Sequence, residues 1–192
     1  FTVPPTPVDL ATADVGTLLQ RMQARDATHV ESGLSLMSPP GHEDPRNLQR
    51  LRDRGARVVL YHGVSDGIFS AEDTRRWLDR VNAAQGGRAA DFARYFPVPG
   101  MNHCSGGPAT DQFDLLSPLV AWVERGVAPD AVRAQARGPG NPGGANPEVP
   151  GDWSPTRSRP LCAWPGVARR RFSTTRIGAN GEDAEGFTCM PG

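Results

Sequence analysis

The sequence lacks lysine altogether, so all 21 of its basic side chains are arginines, and 21 acidic side chains balance them. A formal net charge of zero argues against a protein that binds nucleic acid or an anionic membrane through its charge. No run of 18 apolar residues occurs, so the sequence predicts no membrane-spanning helix. We therefore expect neither nucleic acid nor a membrane as a partner.

Large apolar residues are also scarce. Leu, Ile, Val and Phe together supply 37 of the 192 residues (19%), fewer than the 41 glycines and prolines (21%). The scarcity is uneven, because these four residue types make up 24% of residues 48–125 but only 12% of residues 126–192, where glycine and proline reach 30%. This distribution predicts one region with a compact core and one region dominated by loops.

Cysteine is limited to Cys104, Cys162 and Cys189, an odd number that leaves one sulfur without an internal partner. Cys162 and Cys189 bracket the apolar-poor tail, so their spacing favours a disulfide that stabilises it by roughly 3 to 4 kcal/mol on the chain-entropy model. Cys104 then has two interpretations, a reduced thiol packed as a small apolar side chain or a disulfide to sequence that precedes Phe1. Oxidised pairs would indicate an extracytoplasmic compartment.

Helical spacing of apolar residues predicts a first helix from Asp9 to about Arg25, with Asp14 or Thr12 as its cap. A short helix is predicted from Pro45 to Arg54, ending at Gly55. Beyond Pro129 the sequence is mostly loop, and residues 138–151 have no period and predict a flexible surface excursion.

Two strand-loop-helix units lie between these regions. The first strand, Arg57 to Tyr61, is apolar without polar alternation, as in a central parallel strand buried on both faces. A helix that opens at Ser70 follows, with Gly86 and Gly87 past its end. The second strand spans residues 92–98 and places Pro97 near its end, at an edge or terminal position. The second helix is predicted to begin near Asp111 and to end at Gly126, with its apolar residues at Phe113, Leu116, Leu119, Val120 and Val123. The succession predicts an α/β fold with a parallel sheet.

Two glycine-rich loops follow the predicted strands, and they contain Asp66 and His103. The carboxyl ends of parallel strands share one edge of a sheet, where open α/β folds bind ligands. A carboxylate that faces an imidazole is the orienting half of a nucleophile-base-acid triad. In α/β-hydrolases the nucleophile comes first in the chain, on an earlier strand, which here would precede Phe1.

Simpler interpretations of these residues remain open. Asp66 in a glycine-rich loop is more often a turn residue that caps its own backbone, and an isolated His103 is more often structural. His62, His103 and Cys104 lack the paired spacing of metal ligands, so we predict no metal site. The hydroxyls of Ser65 and Ser105 lie near the same edge but outside a G-x-S-x-G context.

Four segments of the sequence resemble a known family. They are HGVSDGIFS (62–70), the run from FARYFPVPGMNHCSGGP through WVERGVAPD (92–130), RPLCAWPGVARR (159–170) and FTC (187–189). Together they are similar to the carboxy-terminal third of the tannase and feruloyl esterase family, which also includes terephthalate monoester hydrolases. The resemblance covers the chain from about residue 45 to its end.

The resemblance implies a role for particular residues. Asp66 corresponds to the catalytic acid and His103 to the catalytic histidine of the family. Cys104 corresponds to a cysteine that is disulfide-bonded to the residue before the serine nucleophile. Cys162 and Cys189 match the family's carboxy-terminal disulfide. Phe69 is expected to form an aromatic wall of the substrate's acyl pocket.

The implied fold is the carboxy-terminal part of an α/β-hydrolase, a parallel sheet with flanking helices, plus a loop-rich, disulfide-stapled tail. Residues 1–45 would end an inserted lid and return to the catalytic domain, 46–130 would form the core with the acid and histidine loops, and 131–192 would form a Pro/Gly-rich extension. The serine nucleophile, the oxyanion-hole donors and the lid with its calcium loop do not appear in these residues. We therefore expect an upstream part of the same enzyme as partner, and no cofactor in this chain.

The expected function is a secreted or periplasmic carboxylic-ester hydrolase that acts on a small aromatic ester, such as a gallate, hydroxycinnamate or terephthalate monoester. The alternative is a non-catalytic binding module that kept the α/β edge without the nucleophile. A thiol enzyme using Cys104 is disfavoured, because Cys104 and His103 are sequence neighbours and cannot easily present their reactive atoms to each other.

Overall fold

A computed structural model describes residues 9, 11–37, 45–171 and 182–192. The chain divides into two compact units, Phe1–Asp44 and Pro45–Gly192. The first unit contains helix α1 (Val15–Gln23) and helix α2 (Gly33–Met37). The Asp14 carboxylate caps α1 by accepting from the Thr17 amide at 2.7 Å. The helix predicted from Asp9 is thus shorter at its start, because the Asp9 side chain accepts from the Ala11 amide and forms a turn instead.

The second unit contains all of the strands that the structure describes. Its elements in chain order are a 3₁₀ turn (Pro45–Leu48), α3 (Gln49–Asp53), β1 (Val58–Gly63), α4 (Ala71–Ala84), a 3₁₀ turn (Ala89–Asp91), β2 (Ala93–Val98), β3 (Gln112–Phe113), α5 (Leu116–Arg125), β4 (Ala131–Gln135), β5 (Ser158–Cys162), β6 (Gly166–Arg170), a 3₁₀ turn (Ala184–Gly186) and β7 (Phe187–Pro191).

Strands β1 and β2 pair in parallel, in a register from Val58 opposite Ala93 to Gly63 opposite Val98. Helix α4 connects them, as the predicted strand-loop-helix order requires. One layer of the core lies between the two strands, α4 and the turn before α3. Its buried residues are Leu48, Trp77, Leu78, Val81, Ala89, Phe92, Ala93 and Tyr95, with Val58 and Leu60 packed against them.

The prediction that β1 is buried on both faces is confirmed only in part. Val58 and Leu60 pack against the core layer beneath α4, and Val59 packs against the second core layer on the opposite face, but all three are half-buried. Tyr61 is 47% exposed, with its ring edge-on to that of Phe113 at 5.2 Å between centroids, and among the described strands only β2 pairs with β1. An apolar run indicates which residues favour burial, but it does not indicate how completely each face is covered.

Helix α5 begins later than predicted. The Asp114 carboxylate accepts from the Leu116 and Ser117 amides, so Asp114 caps the helix and Asp111 lies outside it. Phe113 belongs to β3, and the predicted apolar stripe is not the buried one, since Leu116 is 70% exposed and Trp122 is buried. The predicted end is confirmed, because Gly126 terminates the helix in the left-handed conformation at φ +71°.

The tail, predicted to be mostly loop, also contains four strands that the sequence did not indicate. Strands β3, β4 and β5 form an antiparallel sheet, and β6 pairs with β7 in an antiparallel hairpin. A disulfide joins Cys162 at the end of β5 to Cys189 in β7, with their α-carbons 5.6 Å apart. The second core layer, between this sheet and β2, consists of Phe96, Val98, Met101, Ala109, Val132, Ala134 and Leu161. Strands β4 and β5 contribute only Val132, Ala134 and Leu161 to this layer, which explains why counting large apolar residues missed these strands.

Among the described residues, no helix has both the length and the apolar character needed to cross a bilayer. The same part of the chain holds no group of three or more His, Cys, Asp or Glu side chains suited to a metal ion.

Candidate active site

Asp66 lies in the tight loop that follows β1. Its Oδ1 atom accepts from the backbone amides of Ile68 at 2.8 Å and Phe69 at 3.0 Å. The turn-capping interpretation of this residue is therefore true, but it accounts for only one carboxylate oxygen. The other oxygen, Oδ2, is left for partners from outside the loop.

His103 reaches that second oxygen from the loop after β2. Its Nδ1 atom lies 2.8 Å from Asp66 Oδ2, across 37 residues of sequence. The Asp66 side chain is only 3% exposed, whereas that of His103 is 43% exposed. The acid is buried behind the imidazole, and Nε2 of His103 makes no hydrogen bond within the described residues. This arrangement can orient a general base toward a nucleophile.

His62, near the end of β1, contacts the same carboxylate. Its Nε2 atom lies 3.2 Å from Asp66 Oδ2 and 3.1 Å from the Phe69 carbonyl oxygen. Its Nδ1 atom lies 2.7 Å from the Thr74 hydroxyl on α4. Sequence reasoning weighed His62 only as a metal ligand and missed this contact. The available signal was a polar side chain at the carboxyl end of an apolar strand, four residues before the acid.

These contacts determine the charge of Asp66. Burial favours the neutral acid and on its own would raise the pKa, but hydrogen bonds from the Phe69 amide, from His103 and from the Ile68 amide outweigh burial. The pKa of Asp66 therefore lies well below its usual range. The carboxylate is ionised at neutral pH, as an orienting acid requires.

Gly63 allows the acid loop (residues 64–70) and the histidine loop (residues 99–108) to approach each other. A β-carbon at this position would lie 2.3 Å from the Met101 carbonyl oxygen and 2.4 Å from that of Asn102. Backbone bonds continue the pairing beyond the strands, from the Val64 amide to Val98 and from the Ser65 amide to Met101. A larger residue at Gly63 would push the histidine loop away from the acid loop.

Two carboxylates, those of Asp111 and Glu148, accept hydrogen bonds from the backbone of the histidine loop. Asp111, whose side chain is completely buried, accepts from the Gly106 amide at 2.8 Å and pairs with Arg137 at 2.6 Å. The hydrogen bond that Arg137 donates to this carboxylate raises the pKa of Arg137. Glu148 accepts from the Gly107 amide at 2.7 Å and from the Asn102 side chain at 3.2 Å.

Sequence reasoning missed the role of this scaffold. Asp111 was predicted to start a helix, and residues 138–151, which contain Glu148, were predicted as a flexible surface excursion. Most of that segment lies at the surface as predicted, but buried Asn146 donates to the Gly107 carbonyl at 2.8 Å and ties the segment to the histidine loop. The partners are about 40 residues apart in sequence, so no local pattern indicates them.

The remaining predicted residues surround this pair. Phe69 is 41% exposed, and its ring centroid lies 5.4 Å from that of His103. A cleft of about 610 Å³ borders Asp66 and Phe69 and extends toward Trp164. Neither Ser65 nor Ser105 hydrogen-bonds to His103 in the described part of the chain.

Cys104 directly follows His103. Its thiol is exposed and has no disulfide partner among the described residues. It has a positive φ of 66°, a conformation that non-glycine residues seldom adopt.

The sequence profile of the family described as tannase and feruloyl esterase matches residues 6–184. Among curated proteins, the mono(2-hydroxyethyl) terephthalate hydrolase of Piscinibacter sakaiensis is 54% identical over 127 residues, which cover 66% of this chain and 19% of that protein. Feruloyl esterase C of Talaromyces stipitatus is 35% identical over 112 residues, which cover 49% of this chain and 21% of that protein. The chain thus spans about a fifth of the length of these relatives.

Solved structures agree with the sequence comparison. Feruloyl esterase B from Aspergillus oryzae matches with a TM-score of 0.54 and 26% identity, over 76% of this chain and 29% of that chain. An esterase from Aspergillus oryzae has the same fold, with a TM-score of 0.58 and 24% identity over 74% of this chain and 29% of that chain. The resemblance found in the sequence is confirmed, and the chain belongs to the tannase and feruloyl esterase family.

Proposed function

We propose that this chain is the acid-and-histidine half of a serine-type carboxylic-ester hydrolase that acts on aromatic acid esters. The observation that carries the proposal is the 2.8 Å contact between His103 Nδ1 and Asp66 Oδ2 at the carboxyl ends of β1 and β2. The parallel pairing of these strands around α4 is what the carboxy-terminal part of an α/β-hydrolase sheet requires.

In the proposed mechanism a serine from upstream sequence attacks the ester carbonyl while His103 Nε2 accepts the hydroxyl proton. Asp66 holds the tautomer that leaves Nε2 free and stabilises the imidazolium that forms. The tetrahedral intermediate collapses as His103 returns the proton to the leaving alcohol. Water deprotonated by His103 then attacks the acyl-enzyme, and the carboxylic acid leaves as the serine recovers its proton.

Cys104 has a structural task in this proposal. We expect its exposed thiol to form a disulfide with a cysteine next to the upstream serine. The positive φ at Cys104 would be maintained by that covalent link, which would keep the base beside the nucleophile. With the Cys162–Cys189 bridge, this pairing favours a secreted or periplasmic protein.

The proposed substrate class rests on the aromatic ring beside the base and on the relatives. Phe69 presents a half-exposed ring 5.4 Å from His103, suited to stack on an aromatic acyl group. Its relatives include a mono(2-hydroxyethyl) terephthalate hydrolase and a feruloyl esterase. The calcium site implied by the family resemblance belongs to the upstream lid, and no step above passes through a metal.

A substrate panel with covalent labelling tests this function. The complete gene product is assayed on methyl gallate, methyl ferulate and a terephthalate monoester, and is then treated with a fluorophosphonate that reacts with activated serines. We expect hydrolysis of at least one ester and a single phosphonylated serine in the segment upstream of Phe1. A product that hydrolyses none of the three and takes up no label would instead be a non-catalytic binding module.

A further inference from the structure

We propose that His62 is a positioning residue for the reaction, a second histidine that holds Asp66 in place for His103. This inference rests on the proposed function, because it concerns the same acid. Its basis is that His62 and His103 approach one carboxylate oxygen, Oδ2 of Asp66, at 3.2 Å and 2.8 Å. His62, Asp66 and His103 therefore form a three-residue arrangement, in which His62 belongs to β1, Asp66 to the acid loop and His103 to the histidine loop.

The surroundings of His62 determine which ring nitrogen carries a proton. Nε2 faces the ionised Asp66 carboxylate and the Phe69 carbonyl oxygen, and both groups only accept hydrogen bonds. Nε2 must therefore be a donor. Nδ1 faces the Thr74 hydroxyl, which can donate to a neutral ring or accept from a charged one. The ring is thus held from both sides in either charge state.

The charges around His62 favour a donor at this position. Its side chain is 16% exposed, and the titratable groups next to it are Asp66 and, through that carboxylate, His103. Helix α4 contributes the neutral hydroxyl of Thr74, while the nearby charges of Glu72 and Arg75 on that helix pair with each other. His62 is therefore a donor placed beside the buried carboxylate, with its N–H bonded to the Phe69 carbonyl.

Two consequences for catalysis follow from this geometry. The Nε2–H of His62 donates to the carbonyl of Phe69, the residue whose amide binds Asp66 Oδ1, and the same nitrogen lies 3.2 Å from Oδ2, so His62 holds the loop that carries the carboxylate. The ring of Phe69 also lies beside His103. Without this donor, Asp66 would be less well oriented and its Oδ2 would become a stronger acceptor for the His103 imidazolium.

The test compares His62→Phe, which keeps a ring without a donor, with His62→Gln, which keeps an amide donor. For the complete gene product we expect kcat on its best ester to fall about tenfold to a hundredfold in H62F, by analogy with the outer hydrogen-bond partners of metal ligands. The acidic limb of the kcat/KM profile should move to higher pH. H62Q should recover much of both changes. A structural defect alone would not move the pH profile or respond to the amide.

Thr74→Val and Thr74→Ser give a second pair, in which only the valine loses the hydroxyl bonded to Nδ1. We expect T74V to shift the profile in the same direction as H62F, but less, and T74S to resemble the wild type. Tyr61→Phe is the matched control, since Tyr61 is the neighbour of His62 on β1 and its ring packs on Phe113 away from this site.

Histidine-selective ¹⁵N NMR of the complete gene product decides the matter even where H62F fails to fold. The ring signal absent from the H62Q spectrum identifies His62, and we expect it to show a protonated Nε2. A His62 protonated only on Nδ1 would overturn the inference. An H62F enzyme with unchanged kcat and an unchanged pH profile would also overturn the inference. If the His103→Ala variant is inactive in the same assay, the proposed function still holds. Active His103→Ala would instead contradict the proposed function.

Discussion

Gly63 and Met101 approach so closely that a single added carbon would not fit between them. The β-carbon of any other residue at position 63 would lie 2.3 Å from the Met101 carbonyl oxygen. Because of this close approach, the carboxyl end of β1 lies against the chain that follows β2, and the acid loop contacts the histidine loop. The precision of the site thus depends on a backbone contact as much as on its charged side chains.

Gly63→Ala should therefore damage both folding and activity. The alanine must displace the backbone at Met101, because no flexible side chain is there to yield, and we expect the unfolding free energy to fall by about 1 to 3 kcal/mol. Urea denaturation and ester hydrolysis measure the two effects. Gly67→Ala is the control, since a β-carbon at Gly67 meets nothing within 4 Å. Equal behaviour of the two variants would contradict the importance of the contact.

Glu148→Ala should lower kcat without unfolding the protein. The substitution leaves the Gly107 amide and the Asn102 side chain without their acceptor, so the histidine loop loses one of its two anchors. Glu148→Gln keeps an acceptor oxygen and should retain more activity. Glu185→Ala, which removes an exposed partner of Arg133, provides a control of the same residue type. We expect kcat to decrease in the order Glu185→Ala, Glu148→Gln, Glu148→Ala. Any other order of kcat values would contradict the role of Glu148 as an anchor of the histidine loop.

Asp66 should make stability depend on pH in the acid range. Its pKa is lowered in the folded protein from 3.8, so the unfolded state binds the proton more readily. The stabilisation is fully present above the unfolded value and is lost as pH falls below it. Urea midpoints measured from pH 6 to pH 3 should therefore decline more steeply for the wild type than for Asp66→Asn. Parallel curves for the two proteins would show that Asp66 is not held as the contacts indicate.

The bridge between Cys162 and Cys189 should stabilise the tail strands. It closes a loop of 27 residues, for which the chain-entropy model gives about 3 to 4 kcal/mol. Replacing both cysteines with alanine should lower the melting temperature and expose β6 and β7 to proteolysis first, since their hairpin has few buried side chains. Met190→Ala, a half-exposed neighbour, is expected to melt like the wild type. An unchanged melting temperature in the double variant would show that the tail is stable without its bridge.

Sequence reasoning located the loops that carry Asp66 and His103 because each follows an apolar strand and precedes a helix with recognisable ends. Periodicity and glycine signals are local, and they suffice for α4, for β2 and for the end of α5 at Gly126. The anchors of the histidine loop could not be found in this way. Glu148 and Arg137 meet their partners across 26 to 46 residues, and only the assembled fold brings them together.

The tail strands escaped prediction for a different reason. Strands β4 and β5 contribute only Val132, Ala134 and Leu161 to the second core layer, so their hydrophobic signal is weak even though their pairing is regular. His62 was overlooked because a histidine at the end of a strand has no pattern of its own. The role of His62 depends on its contacts with Thr74, which lies on a helix, and Asp66, which lies in a loop.

The most direct test of the central claim is the turnover of His103→Ala in the complete gene product, measured on the aromatic ester that the wild type hydrolyses best. Circular dichroism first verifies that the variant is folded. We then expect it to have less than about a thousandth of the wild-type kcat/KM, because the general base is gone while substrate binding remains. A rate near that of the wild type would contradict the proposal that Asp66 and His103 form the catalytic pair.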